Sequence, residues 1–385
     1  MLNICFFIHN LSSHGGTERI SIALANALSK QSDFRVSMLS LESFDTPFFS
    51  LNENVKTDSL NIYNANIRKN YFKAVRQLKK YLQENNIQVI IDVDVILSFI
   101  SLAATAFTKV KVVSWEHYNY YLKRKSIIRK VARQLAARYS KAIVTLTERD
   151  IQFYKDKCKT KARIVSIPNF IEEFPSGFYF GSQKYILSIG HLEHRKGFDL
   201  LLDIWSKVDS KIKEGWKLLI IGEGEEKEKL EKQIQNNNMG DSVEILPLKA
   251  NIEEYYKKTA IYAMSSRAEG LPMVLIEAKS LGIPTIAFDC NTGPQEIINN
   301  EIDGFLIPCF DTDAYAQCLT KLMQDRLLRR KLSQNALRDK DRFSSNQAVE
   351  KWRDLVLYLH KTDATNQVHR ISNNPVFTAS LEAKP

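Results

Sequence analysis

The sequence predicts an α/β protein built from two doubly wound, Rossmann-like domains that face each other across a cleft. Three observations carry that prediction. Short apolar runs alternate with amphipathic stretches along most of the 385 residues, which is the signature of parallel strands covered by helices on both faces. The alternation comes in two successive series, and the length suits two domains of ordinary size. Between the series lies IPNFIEEFPSGFYFGSQ (167–183), punctuated by Pro and Gly and without helical periodicity. The expected organisation is therefore a first domain at 1–170, a linker at 171–183 and a second domain at 184–345.

The elements follow in order. LNICFFIH (2–9) reads as a buried strand, and Gly15-Gly16 marks a turn. Ile20, Ala23, Leu24, Ala27 and Leu28 then fall on one helical face. Further strands are expected at 34–41, 87–93, 111–115, 141–147 and 163–167. The second series opens with YILSIG (185–190) and a helix from Phe198, then WKLLIIG (216–222) and a helix near Glu225. VEILPL (243–248), IYAMSS (261–266), a helix from about Met273, IPTIAFD (283–289) and GFLIP (304–308) complete it. AVEKWRDLVLYLH (348–360) predicts a last helix, 346–361, packing back on the first domain, and the polar tail 362–385 predicts disorder. Ligands of open parallel sheets sit outside the carboxyl ends of the strands, so the cleft is the expected site.

Composition narrows the function. With 44% hydrophobic and 25% charged residues the chain is neither disordered nor fibrous. No apolar run approaches the roughly 20 residues of a spanning helix, and MLNICFFIHN lacks the basic start and cleavage site of a secretory leader. Five cysteines with no CxxC pair fit reduced thiols better than disulfides or a zinc site. A cytoplasmic protein is expected. Residues 1–180 hold 26 basic against 15 acidic side chains, and residues 181–385 hold 28 against 29. The first half is thus suited to an anionic surface or ligand. No nucleic-acid module or aromatic stacking platform accompanies the charge, so nucleic acid is not an expected partner.

The strongest local signal is SSRAEGLPMVLIE (265–277), in which Glu269 and Glu277 are separated by seven residues. Glu269 falls on a loop after a strand, and the backbone amides that follow it open a helix. Such a terminus offers unpaired N–H groups and about half a positive charge, suited to phosphate. Glu277 lies two turns into that helix, where a carboxylate can take both hydroxyls of a ribose. Gly15-Gly16 and the I-G-E-G run at 221–224 allow close backbone approach, but neither completes GxGxxG, which argues against a dinucleotide site.

The block SSRAEGLPMVLIEAKSLGIPTIAFD resembles the E-x7-E signature of retaining glycosyltransferases of family 4, of the bacterial cell-surface glycan type, which share the two-domain GT-B fold. GHLEHRKGFDLLL (190–202), IIGEGEEKEKL (220–230), GPQEII and DGFLIP resemble further segments of that family. The resemblance implies that Glu277 holds the nucleotide ribose, Glu269 the donor sugar hydroxyls and Lys196 the donor diphosphate. It extends the donor-binding set to Gly16, Arg195, Gly222, Gly270, Leu271, Pro272 and Met273. His117, in WEH at the end of the strand KVVSW, matches a histidine that approaches the donor sugar, so the catalytic set is His117, Glu269 and Lys196. One position departs: His191 stands where an arginine is usual, and Arg195 is expected to supply the missing charge.

The implied activity is retaining transfer of a hexose from a nucleotide diphosphate sugar, with UDP-galactose, UDP-N-acetylgalactosamine or UDP-glucose favoured, to a glycan or lipid-linked glycan. Asp92-Val93-Asp94 lies in or at the end of an apolar strand rather than in a metal-binding loop, so no metal and no cofactor are expected. Between His117 and Thr147 stand eight basic residues and no acid. Lys123, Arg124, Lys125 and Arg129, interleaved with apolar residues, are expected to meet an acceptor or the anionic inner face of the cytoplasmic membrane, as is the basic stretch 68–82. The rival readings are an inactive sugar-nucleotide-binding protein of the same fold, and an epimerase or phosphorylase.

Overall fold

The computed structural model describes residues 1–62, 67–121, 126–171, 183–247 and 252–372. Two all-parallel sheets form it. The first contains β1 (Leu2–Ile8), β2 (Phe34–Ser40), β3 (Lys56–Ser59), β4 (Val89–Val93), β5 (Lys111–Trp115), β6 (Ala142–Thr145) and β7 (Arg163–Ser166), in the spatial order β3-β2-β1-β4-β5-β6-β7. The second contains β8 (Tyr185–Ile189), β9 (Lys217–Ile221), β10 (Val243–Leu246), β11 (Thr259–Met264), β12 (Thr285–Asp289) and β13 (Gly304–Pro308), in the order β10-β9-β8-β11-β12-β13. Chain order reverses beside β1 in one sheet and beside β8 in the other, so each has the doubly wound form.

Helices α1 (Gly16–Ser29), α2 (Ile67–Glu84), α3 (Ser98–Thr105), α4 (Ile127–Tyr139) and α5 (Glu148–Lys157) cover the first sheet. Around the second are α6 (Phe198–Lys207), α7 (Ser210–Lys213), α8 (Lys227–Asn236), α9 (Glu253–Lys258), α10 (Met273–Ser280), α11 (Pro294–Ile297), α12 (Thr312–Gln324) and α13 (Arg326–Arg338). Side-chain caps start several of them: Thr147 accepts from the Asp150 amide at α5, Asp311 from Ala314 at α12 and Asp325 from Leu328 at α13. The central strands are apolar and buried on both faces, which is why they read so plainly in sequence.

Two features differ from the expectation. Edge strand β3 was not predicted, because its residues KTDS are polar and largely exposed and carry no apolar pattern. The last helix, α14 (Ser345–Ser372), runs past residue 361, so the polar start of the tail continues as helix; residues 373–385 lie outside the described residues, as do 172–182 of the expected linker. α14 lies on the first domain. Trp352 packs edge-to-face on Trp115 at 4.8 Å, Arg353 Nε meets Asp33 at 2.6 Å, and Lys111 Nζ donates to the Leu359 carbonyl at 2.5 Å. The chain leaves the first domain beside Ile171 and returns at Ser344, and these two residues form a bridge, with Ile171 N donating to Phe343 O at 3.0 Å.

Candidate active site

β8 and β11 are neighbours at the point where chain order reverses, and the loops that follow them carry the first group of candidate residues. Lys196 and Arg195 lie in a short 3-10 turn (His194–Lys196) ended by Gly197, whose φ is +67°. A Cβ there would stand 2.1 Å from the Ser265 carbonyl oxygen, so only glycine lets this turn dock against the loop after β11. The docked turn delivers two cations to one buried carboxylate. Lys196 Nζ is 2.7 Å from Glu269 Oε1, Arg195 Nη1 is 3.0 Å from Oε2, and Ser266 Oγ donates to Oε1 at 2.7 Å. Burial alone would raise the Glu269 carboxyl. Lys196 and Arg195 outweigh it and hold the group below the usual carboxylate value, so Glu269 is ionised in the cleft.

The second group sits on α10. Pro272 precedes its first residue, Met273, and no side chain caps this end, which leaves the first amides of α10 for a ligand. Glu277 lies one turn further on, not the two turns expected, because the helix starts only at Met273. Tyr256 Oη donates to its Oε2 at 3.0 Å, and Arg19 Nη1, from α1 of the first domain, approaches its Oε1 at 3.5 Å.

The opposite wall comes from the end of β5. Strand alternation sends Trp115 and His117 to one face and Glu116 to the other. The His117 ring packs on Trp115 with centroids 4.4 Å apart, and its Nε2 is buried without a hydrogen-bond partner. Burial pushes this imidazole down to about 4, so it is neutral at physiological pH. The two walls touch here: a Cβ on Gly270 would stand 2.9 Å from the His117 carbonyl oxygen. The Glu269 carbonyl accepts hydrogen bonds from Asn119 Nδ2 and, at 2.7 Å, from Thr292 Oγ1. His117, Lys196, Arg195, Glu269 and Gly270 thus form one cluster, with Leu271, Pro272, Met273 and Glu277 leading away along α10.

Beneath the His117 loop lies a buried ionic network. Arg129 binds Asp94 at both oxygens, at 2.9 and 2.8 Å, and reaches Glu116 Oε1 at 3.1 Å. Arg133 Nε donates to Glu116 Oε2 at 2.6 Å, its other nitrogens hold the carbonyls of Asn119 and Tyr120, and Tyr154 Oη also donates to Glu116. Asp94 adopts φ 129°, a backbone strain that the Arg129 fork offsets. The expectation that Arg129 presents its charge to an acceptor or a membrane is therefore corrected: it is 3% exposed, with both Nη atoms held by Asp94 and Glu116. α4 is turned the opposite way from its apolar spacing. Arg129 and Arg133 face inward with Ala132 and Ala136, whereas Ile127, Ile128, Val131 and Tyr139 are exposed at 77, 47, 42 and 60%. Lys123, Arg124 and Lys125 lie outside the described residues.

The remaining predicted positions are less central. Gly16 opens α1 with free space around it, whereas Gly222 packs on the Gly190 carbonyl, which gives it a packing reason to be glycine. His191 is exposed, and Arg195, expected to make up the charge missing there, has its Nη1 on Glu269. Asp92 is buried and accepts from Ser101 at 2.6 Å, and Asp94 is taken by Arg129. Among the described residues no group of His, Cys, Asp and Glu is arranged to hold a metal, and no helix is long and apolar enough to cross a membrane. Sequence reasoning missed Arg19, Tyr256, Asn119, Thr292 and the Glu116–Arg133 pair. Arg19 had a signal, since it lies one turn into the helix opened by Gly15-Gly16; the others are brought in by tertiary packing.

Comparison with known proteins agrees with this geometry. The family model described as Glycosyltransferase Family 4 matches residues 14–173, and that described as Glycosyl transferases group 1 matches residues 169–339. An uncharacterized glycosyltransferase of Haemophilus influenzae is 32% identical over 92% of this chain and 100% of its own. The amylovoran biosynthesis glycosyltransferase AmsD of Erwinia amylovora is 29% identical over 92% of this chain and all of its own. A Campylobacter jejuni alpha-1,4-N-acetyl-D-galactosaminyltransferase, named for a diphospho-undecaprenol-linked glycan, is 28% identical over 92% of this chain and 98% of its own. Among solved structures, sucrose-phosphate synthase of Thermosynechococcus elongatus superimposes with a TM-score of 0.81 at 17% identity, covering 94% of this chain and 100% of that one. HepE of Anabaena, solved with UDP-glucose, gives 0.73 at 16% identity, covering 93% and 100%.

Proposed function

Since the chain belongs to the family 4, or group 1, glycosyltransferases, which are GT-B enzymes of bacterial glycan biosynthesis, we propose that it moves a hexose from a UDP-sugar to a glycan or lipid-linked glycan with retention of anomeric configuration. The observation that carries this reading is the clamp of Lys196, Arg195 and Ser266 on Glu269 at the sheet's switch point. An ionised, oriented carboxylate beside the first amides of α10 suits a donor whose sugar hydroxyls donate to Glu269 and whose diphosphate lies on the helix terminus. Glu277, already accepting from Tyr256, is the acceptor offered to the ribose hydroxyls. UDP as the nucleotude carrier draws support from HepE, solved with UDP-glucose. Galactose, N-acetylgalactosamine and glucose are the donor sugars favoured, and a lipid-linked acceptor is favoured by the relative named for one.

In the proposed reaction the bond between the anomeric carbon and the diphosphate oxygen breaks, and the electron pair stays with the diphosphate. The acceptor oxygen bonds to the anomeric carbon from the same face and passes its proton to the departing phosphate oxygen. Lys196 and the α10 amides stabilise the charge that grows on the leaving group, and neutral His117 offers Nε2 to the donor sugar. Asp92 and Asp94 are already engaged, so the reading is metal-independent.

The exposed Ile127, Ile128 and Val131 of α4, on the side of the sheet that also carries Phe72 and the exposed bases Lys69, Lys73, Arg76, Lys79 and Lys80 of α2, suit the anionic cytoplasmic face of the membrane. The enzyme is therefore read as a peripheral protein at that surface.

Nucleoside diphosphate release, measured with UDP-galactose, UDP-N-acetylgalactosamine and UDP-glucose with and without a lipid-linked glycan extract, tests the reading. Acceptor-dependent release undiminished by EDTA, with an α-linked product by NMR from the α-linked donor, is expected. Binding without release would leave an inactive sugar-nucleotide-binding protein, and acceptor-independent release would point to an epimerase.

A further inference from the structure

The charges in the cleft do not yet balance for a diphosphate. Lys196 and Arg195, the two cations nearest the α10 terminus in sequence expectation, are both spent on Glu269, and Arg195 is also paired with Glu193. Arg267, on the same loop, is held at both nitrogens by Asp199, at 2.7 and 2.6 Å. A nucleoside diphosphate would therefore share Lys196 with Glu269, and one shared lysine does not balance its charge. The opposite domain adds a further cation at Glu277. Arg19 stands on the first turn of α1, just after Gly16, and its side chain is 57% exposed. Its single contact with Glu277 is long, 3.5 Å, and an exposed monodentate pair of this kind contributes little stability. It is not a structural brace.

We infer that Arg19 is a donor-binding residue supplied across the cleft, which leaves Glu277 for the diphosphate when the nucleotide enters. This rests on the donor site proposed above. The exchange is built into the arrangement. Glu277 lies one helical turn beyond Met273, so its carboxylate and the first amides of α10 are about 6 Å apart along the helix. An arginine side chain anchored on the facing helix spans that distance by changing rotamer. Ribose hydroxyls arriving at Glu277 replace the guanidinium with neutral donors, and the phosphates offer the displaced guanidinium a doubly charged, bidentate partner. Free space around Gly16 at the start of α1 leaves room for the phosphates between the two helices.

The test compares ligands that differ only in phosphate. Inhibition constants of UDP and of uridine against UDP-sugar turnover are measured for the wild-type chain, Arg19→Ala and Arg19→Lys, with melting temperatures to confirm folding. Arg19→Ala is expected to weaken UDP at least tenfold and to leave uridine within twofold, and Arg19→Lys is expected to recover part of the UDP affinity, since a lysine still offers a point charge. Equal losses for both ligands would mean that Arg19 acts only by positioning Glu277, and no loss for either would remove it from the site; each overturns the inference. If the wild-type chain binds none of UDP, GDP and ADP, the donor site itself fails, and Arg19 with it, a result recognisable before any variant is made.

Discussion

Single side chains in this cleft do unequal kinds of work, and Glu277 and His117 show the contrast. Glu277 has one carboxylate oxygen accepting from Tyr256 and the other facing a loosely held arginine. Its proposed task is to accept two ribose hydroxyls, so Glu277→Ala should weaken donor binding by about 2–4 kcal/mol, the cost of two charge-assisted hydrogen bonds. Calorimetry with UDP that returns the wild-type dissociation constant would take Glu277 out of the site. His117 works by staying neutral. Its pKa is depressed from 6.5 to about 4 by burial, so the unfolded chain takes up a proton before the folded one does. Stability therefore falls as pH drops from about 6.5 to about 4 and is regained as pH rises through that window. An NMR titration should find the His117 ring unprotonated at pH 5.5; a midpoint near 6.5 would show that water reaches it freely. Replacing His117 by Phe should flatten the loss of stability between pH 6.5 and 4, as measured by urea unfolding.

Helices and strands divide sharply into those legible from sequence and those not. The central strands, the Gly-Leu-Pro entry to α10 and the Glu269–Glu277 spacing were legible because each depends on residues close in the chain. Strand β3 was not, since polar edge residues have no period to read. In α4 it was Arg129 that was misplaced, for a physical reason. Helical periodicity groups Ile127, Ile128 and Val131 on one face but does not say which face is the inner one. Here two carboxylates, Asp94 just after β4 and Glu116 just after β5, sit beneath the helix and draw Arg129 and Arg133 inward. No local pattern reports such partners. The inversion makes paired predictions. Changing Ile127, Ile128 and Val131 together to Gln should leave the melting temperature nearly unchanged, because exposed substitutions cost little, while binding to anionic vesicles in a flotation assay drops. Changing Glu116 to Gln strands one side of a buried pair and should destabilise the fold by about 3–5 kcal/mol in urea unfolding. If the triple change unfolds the protein instead, the face is core and the membrane reading is lost.

At the scale of the whole molecule, the last helix ties the two ends of the chain to one domain. Trp352 is buried against Trp115, the residue on which His117 rests, so the C-terminal helix supports the cleft wall from behind. Trp352→Ala should cost about 3–5 kcal/mol of stability, typical of a large buried aromatic, and differential scanning calorimetry should show the loss in the transition of the first domain. An unshifted transition would mean that α14 is only loosely docked. The helix itself was legible from its amphipathic spacing, but its reach to Ser372 was not, since the polar residues there give no apolar stripe. The bridge between Ile171 and Ser344 has a further consequence. Because the chain departs and comes back at adjacent points, the second domain is a cassette spliced into the first through a single doorway. Evolution, or an engineer, can exchange everything between the two doorposts for the equivalent piece of another glycosyltransferase in one recombination step.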